Sequence, residues 1–227
     1  MSNSFEQFFY SLKKMQNYRG SQPVYFLIYN NGVLHCYFNY EIQNAMSNLI
    51  CKLRSNPTAI ENLRLSIISG SSAKQIIPLQ NLSELDIDNC INICSCNEFN
   101  KFSSTFKLLF NSVEKEVTTN SIRGKIFNDA LPIVFILHSI EMSDKIDRYF
   151  KKRKIGIIIK CFQQKKGLSF IEIEELNNIN IKAGNVCIIF DGNYEILFSY
   201  ISELLLFAID YDIKRIPSVP SELYLLY

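Results

Sequence analysis

The chain has no run of some 18 consecutive apolar residues, the length a membrane-spanning helix requires, so no transmembrane segment is expected. Its richest stretch, from Glu195 to Ile209, is broken by Ser199, Ser202 and Glu203. The opening MSNSFEQFFYSLKK lacks a basic leader followed by an apolar core, so secretion is not expected. Charge of one sign is also missing: the net charge is +2, too small to mark a nucleic-acid binder or a membrane-surface protein by bulk electrostatics. There is no internal repeat and no low-complexity linker. The seven cysteines are odd in number and unevenly spread, which fits reduced thiols in a cytoplasmic protein better than a disulfide framework.

What is present is the composition of a packed globule, 48% hydrophobic and 20% charged over 227 residues. A chain of this length buries roughly 70% of the surface its unfolded form exposes, so it needs neither disulfides nor a structural metal to fold. Phe5, Phe8, Phe9, Leu12 and Met15 recur at helical spacing behind a candidate N-cap, Ser4. Three phenylalanines on one stripe are costly to expose, so this helix is expected to pack on its own domain, a partner or a second copy.

Pro23 then opens VYFLIY, a continuously apolar strand. Ile42, Ala45, Met46, Leu49, Ile50 and Leu53 mark an amphipathic helix that Pro57 is expected to end. LRLSIIS (63–69) and AKQIIPL (73–79) read as strands joined in a hairpin by Gly70, Ser71 and Ser72, and a loop spans about 83–98. A second helix carries Phe102, Phe106, Leu109, Phe110, Val113 and Val117 on one face. Strands IVFIL (133–137), IGIII (155–159) and VCIIF (186–190) follow, with a short helical stripe at Ile146, Tyr149 and Phe150. Another helical segment precedes the last of these strands. The final helix sets Leu197, Tyr200, Ile201, Leu204, Leu205 and Ala208 on one side. Such alternation predicts an α/β fold: a mostly parallel sheet with helices on both faces and one antiparallel edge strand. The tail 214–227 carries two prolines and is expected not to extend the sheet. Its ELYLLY end is expected to fold back or to add a strand to a neighbour.

The first strand's exit, PVYFLIYNNGV, and the phrases around Leu53, Asn56, Pro57, Ala59 and Glu61 and around Ala73, Pro78 and Leu79 resemble the von Willebrand factor A (vWA) family. The TerY-type bacterial members from tellurium-resistance gene clusters are the most similar, and FKLLFNSVEKEV and PIVFIL extend the likeness over about 23–137. The resemblance implies a Rossmann-like domain over 23–213, preceded by a helical extension at 1–22 and followed by the tail. It also implies a ligand crevice at the carboxyl ends of the strands.

In that family an Asp and two Ser of the first loop, a Thr of a second and an Asp after the fourth strand hold Mg²⁺ or Mn²⁺. Here Tyr29 stands at the Asp position, Asn31 and Val33 at the Ser positions, Asn100 near the Thr position, and Ser139 at the second Asp position. Hard cations need oxygen ligands with carboxylates to balance their charge. Both carboxylates are gone and Val33 offers no donor, so no metal and no cofactor is expected.

The resemblance therefore implies a cytoplasmic, non-enzymatic adaptor that recognises protein through Tyr29, Asn30, Asn31, Val33, Leu34, His35, Asn97, Phe99, Asn100, His138, Ser139 and Glu141. Its implied partners are kinase- or phosphatase-like products of a bacterial stress-response or defence cluster, with self-association left open and no membrane role.

Two alternatives remain, one re-using part of this crevice and one using a separate basic cluster. His35 and His138 fall at the expected crevice with Cys36, Cys94 and Cys96 nearby, the ligand types of zinc or of a nucleophilic site using Cys36 or Ser139. The C-x-C spacing, with Cys90 four residues earlier, is not a zinc pattern, and no G-x-S-x-G elbow orders a nucleophile; ordinary buried thiols and loop histidines account for the same residues. GSSAK (70–74) lacks phosphate-loop spacing and reads as a turn. Lys145, Arg148, Lys151, Lys152, Arg153 and Lys154, beside Tyr149 and Phe150, could grip phosphates or an acidic protein, or be the solvated side of a short helix.

Overall fold

The computed structural model describes residues 6, 7, 9, 10, 13, 21–29, 35–69, 74–86, 102–122, 132–138, 158–163, 186–190 and 194–226. Its elements are β1 (Gln22–Tyr29), α1 (His35–Arg54), α2 (Pro57–Asn62), β2 (Leu63–Ser69) and β3 (Lys74–Asn81). They continue with α3 (Phe102–Ile122), β4 (Ile133–His138), β5 (Ile158–Gln163), β6 (Val186–Phe190), α4 (Tyr194–Ile209) and β7 (Leu223–Leu226). The sheet has seven strands in the order β3-β2-β1-β4-β5-β6-β7. Neighbours from β2 through β6 run parallel, while β3 and β7 pair antiparallel at the two edges.

The central strands are apolar on both faces because both are covered. Val24, Phe26 and Ile28 of β1 join Ile133, Phe135 and Leu137 of β4 in a large core with α1 and α4. The alternate residues, Tyr25 and Leu27 with Val134 and Ile136, face the other way onto Phe106, Leu109, Phe110 and Val113 of α3. Period-two alternation therefore deals each strand's residues to two separate helical layers. Phe26 lies stacked between Phe135, at 4.9 Å and 16°, and Phe198 of α4, at 6.1 Å and 12°.

The helix in the first crossover buries the expected stripe, Ile42 to Leu53. It ends at Arg54, and Pro57 has a second role as the opening residue of α2. Asn56 caps that short helix, its Oδ1 accepting from the Ala59 amide at 3.1 Å. Arg54 reaches across to donate to the carbonyls of Leu82 (2.8 Å) and Leu85, pinning a 3₁₀ turn at Leu82–Glu84.

The hairpin of β2 and β3 forms as the Gly-Ser-Ser turn predicts, with a bulge opposite Ser66 where Pro78 has no amide to donate. Ser66 Oγ donates to the Ile77 carbonyl and accepts from Gln75 Nε2, both at 3.0 Å. On the α3 side, Tyr25 Oη donates to the Ser112 carbonyl at 3.4 Å, and Arg64 pairs with Glu116.

Three expectations are corrected. The tail does extend the sheet: Leu223–Leu226 pairs with Phe190–Cys187 of β6, so there are two antiparallel edges rather than one. The prolines lie before this strand, where they cost no ladder hydrogen bond. The fifth strand runs Ile158–Gln163 and so continues past Ile159, because pairing with β4 and β6 sets its register. The last helix is buried nearly all round, with Tyr194, Phe198, Ser202, Phe207 and Ile209 covered besides its expected stripe. It lies against the sheet, α1 and the leading helical residues together, which is what all-round burial requires.

Residues 6, 7, 9, 10 and 13 are helical and pack on their own domain. Phe9 is fully buried in the large core, and the Tyr10 ring meets Phe207 edge-on at 5.1 Å. Lys13 Nζ sits 4.4 Å over the Phe207 ring and donates to the carbonyls of Phe207 (3.2 Å), Asp210 (2.8 Å) and Ile213. A cation on the last carbonyls of a helix is favoured by the helix dipole. Burial and then Lys214 lower the proton affinity of this ammonium, while Asp210 and Asp212 oppose them.

The helical stripe at 146–150, the segment ahead of β6 and most of the 83–98 loop lie outside the described residues. Among the described residues no helix is long and apolar enough to cross a membrane.

Candidate functional site

In the sheet order, the chain steps from β1 outward through β2 to β3, then returns to the other side of β1 and proceeds through β4 to β7. The reversal lies between β1 and β4. Ligands of open α/β sheets bind at that position.

Register places individual residues at this edge. Tyr29, the last residue of β1, lies opposite His138, the last residue of β4. His138 in turn lies opposite Phe162 of β5. One step below, Ile28 lies between Ser69 and Leu137, all three of them buried. This level of the sheet is thus apolar apart from the Ser69 hydroxyl. The carboxyl-terminal residues of the parallel strands are Ser69, Tyr29, His138, Gln163 and Phe190. None is acidic.

Helix α1 begins with His35, after residues 30–34 have left β1, and α4 begins with Tyr194 after β6. Both helices descend from the carboxyl ends of parallel strands, so both amino termini stand at the same end of the sheet as Tyr29 and His138. The first turn of α1 has no acidic residue, and that of α4 has Glu195.

Of the residues that sequence reasoning assigned here, the fold brings Tyr29, His35 and His138 to this end. Two placements differ in detail: His138 closes β4 rather than following it, and His35 opens α1 rather than lying in the loop. Asn30, Asn31, Val33, Leu34, Asn97, Phe99, Asn100, Ser139 and Glu141 lie outside the described residues. So do Cys90, Cys94, Cys96 and the basic cluster at 145–154. Cys36 is the second residue of α1. Ser69 was missed, because a serine closing an apolar run reads as the strand's end and not as part of a site. Parallel pairing with β1 is what puts it beside Ile28, next to the point of strand reversal.

The donor set at these strand ends does not suit a hard divalent cation. A phenol, an imidazole, a carboxamide and an aliphatic hydroxyl supply no carboxylate to balance the charge. Among the described residues no group of three His, Cys, Asp or Glu side chains is arranged to hold a metal ion. Compared with models of known protein families and with curated proteins, the chain matches none.

Proposed function

We propose that this chain is a non-catalytic protein-interaction module with a Rossmann-like, vWA-type frame, and that its crevice binds a protein partner without a metal. The observation that carries this reading is the pairing of Tyr29 with His138 at the point of strand reversal. The resemblance puts the first carboxylate of the family's metal site at Tyr29. An aromatic ring and an imidazole at that edge are a surface for packing and hydrogen bonding, not a charge-balanced cation cage. The vWA-type frame is further supported by the strand order β3-β2-β1-β4-β5-β6 with an antiparallel β3 edge.

On this reading the partner engages the loops that leave β1 and β4, and the module acts in the cytoplasm. By analogy with the TerY-type proteins, its partners are kinase- or phosphatase-like products of a stress-response or defence cluster, since fold alone does not specify function.

The test is capture by the immobilised chain, comparing wild type with Tyr29→Ala/His138→Ala and with Lys52→Ala on the far part of α1. A partner retained by wild type and Lys52→Ala but lost by the crevice variant supports the reading. Equal retention by all three overturns it. Stoichiometric zinc that is lost with His35→Ala or His138→Ala also overturns it, in favour of a rebuilt metal site.

A further inference from the structure

We propose that the leading helical residues are a strap that holds β7 in the sheet, so that the two open together and release the outer edge of β6.

Three carbonyls accept from Lys13 Nζ: those of Phe207, Asp210 and Ile213. The first belongs to the last turn of α4, and the other two to the segment 210–222 that returns to β7. One ammonium therefore spans the corner at which the chain leaves α4. The same corner is tied by Asn56 Nδ2 donating to Asp210 Oδ2 at 3.2 Å, and by the Asp212 amide donating to Asp210 Oδ1 at 2.9 Å. Phe9 and Tyr10 anchor the strap itself through the large core and the Phe207 ring.

Beyond the corner the return is thinly held. Ile213 and Ile216 pack partly buried against the core and Leu223 at the start of β7 is buried in it, whereas Tyr211, Asp212, Lys214, Arg215, Ser218 and Val219 are exposed. It delivers a strand of only four residues, at the sheet's edge and paired on one side to β6. A short edge strand has little stability of its own and depends on whatever fixes its approach. Here the approach is fixed at the corner that Lys13 closes. When the strap leaves, the α4 carbonyls lose their cation, the return loses its anchor and β7 loses its alignment. The edge of β6 then presents unpaired amides and carbonyls able to accept an extended strand.

Native-state hydrogen exchange tests this on the full chain. Lys13→Met is expected to speed exchange of the β7 amides at least about tenfold, together with those of residues 6–13, while β1 and β4 keep their protection. Lys52→Met, which removes the exposed 3.0 Å pair with Glu203, is expected to leave β7 unchanged. In wild type under graded denaturant, the amides of residues 6–13 and of β7 are expected to merge into one opening transition below the global one, a reading that needs no variant to fold. Unchanged β7 protection in Lys13→Met overturns the proposal, as do two separate transitions for strap and strand.

Discussion

Tyr29 and His138 lie opposite each other at the ends of neighbouring parallel strands, β1 and β4, where the sheet's connectivity reverses. The Ile28 and Leu137 side chains one step below are buried. Apart from the buried Ser69 beside Ile28, the level beneath these two residues is therefore apolar. No carboxylate closes any of the parallel strands.

Because of that donor set, the protein is expected to ignore hard cations. Its melting temperature in millimolar Mg²⁺ or Mn²⁺ should agree with that in chelator to within about 1 °C. An ion bound at a hundred times its Kd would contribute about 2.7 kcal/mol. In a chain of this size that is a rise of roughly 5–10 °C, easily seen by calorimetry.

Truncating Phe26 to alanine should cost about 3–5 kcal/mol in denaturant unfolding. The ring is fully buried between Phe135 and Phe198, so its removal opens a cavity between sheet and α4 and loses two stacked contacts. Phe26→Leu should cost less, about 1–2 kcal/mol, because most of the volume is kept.

Asn56→Ala removes a helix cap and the tie to Asp210 at once, and should lower stability by about 1–2 kcal/mol. Asn56→Asp caps α2 equally well but turns a carboxylate toward Asp210. It should recover only part of the loss, and that part should grow with added salt.

Alkaline pH should destabilise the protein partly through Tyr25. Burial, and secondarily the Glu116 carboxylate, push this phenol well above the ordinary 10.0, while Arg64 opposes them. Between the ordinary and the raised value the folded chain keeps a proton that the unfolded chain has lost, so rising pH favours unfolding in that window and not below it. In Tyr25→Phe the fall in stability above pH 10 should be shallower by up to about 1 kcal/mol per pH unit. At neutral pH the variant should lie within about 1 kcal/mol of wild type, since only the 3.4 Å bond to Ser112 is lost.

The sequence by itself determined the layers. Continuous apolar runs such as Val24–Ile28 and Ile133–Leu137, short, rich in β-branched and aromatic residues and each preceded by a proline, read as strands covered on both faces. The stripe from Ile42 to Leu53 can only be a helix with one buried side. Local periodicity carries this information because a side chain's direction depends on its neighbours in the chain. The hairpin of β2 and β3 was legible for the same reason, through Gly70, Ser71 and Ser72.

Tertiary structure alone decided which residues from distant segments meet. That Tyr29 lies opposite His138, that Ser69 lies beside Ile28 next to the strand reversal, and that Leu223–Leu226 closes the sheet against β6 all depend on strand order and register. Inter-strand hydrogen bonds join backbone groups that are alike in every residue, so no local pattern encodes the pairing. The Lys13 clasp shows the same limit: its acceptors are carbonyls some two hundred residues away, and their availability is set by where α4 ends in space.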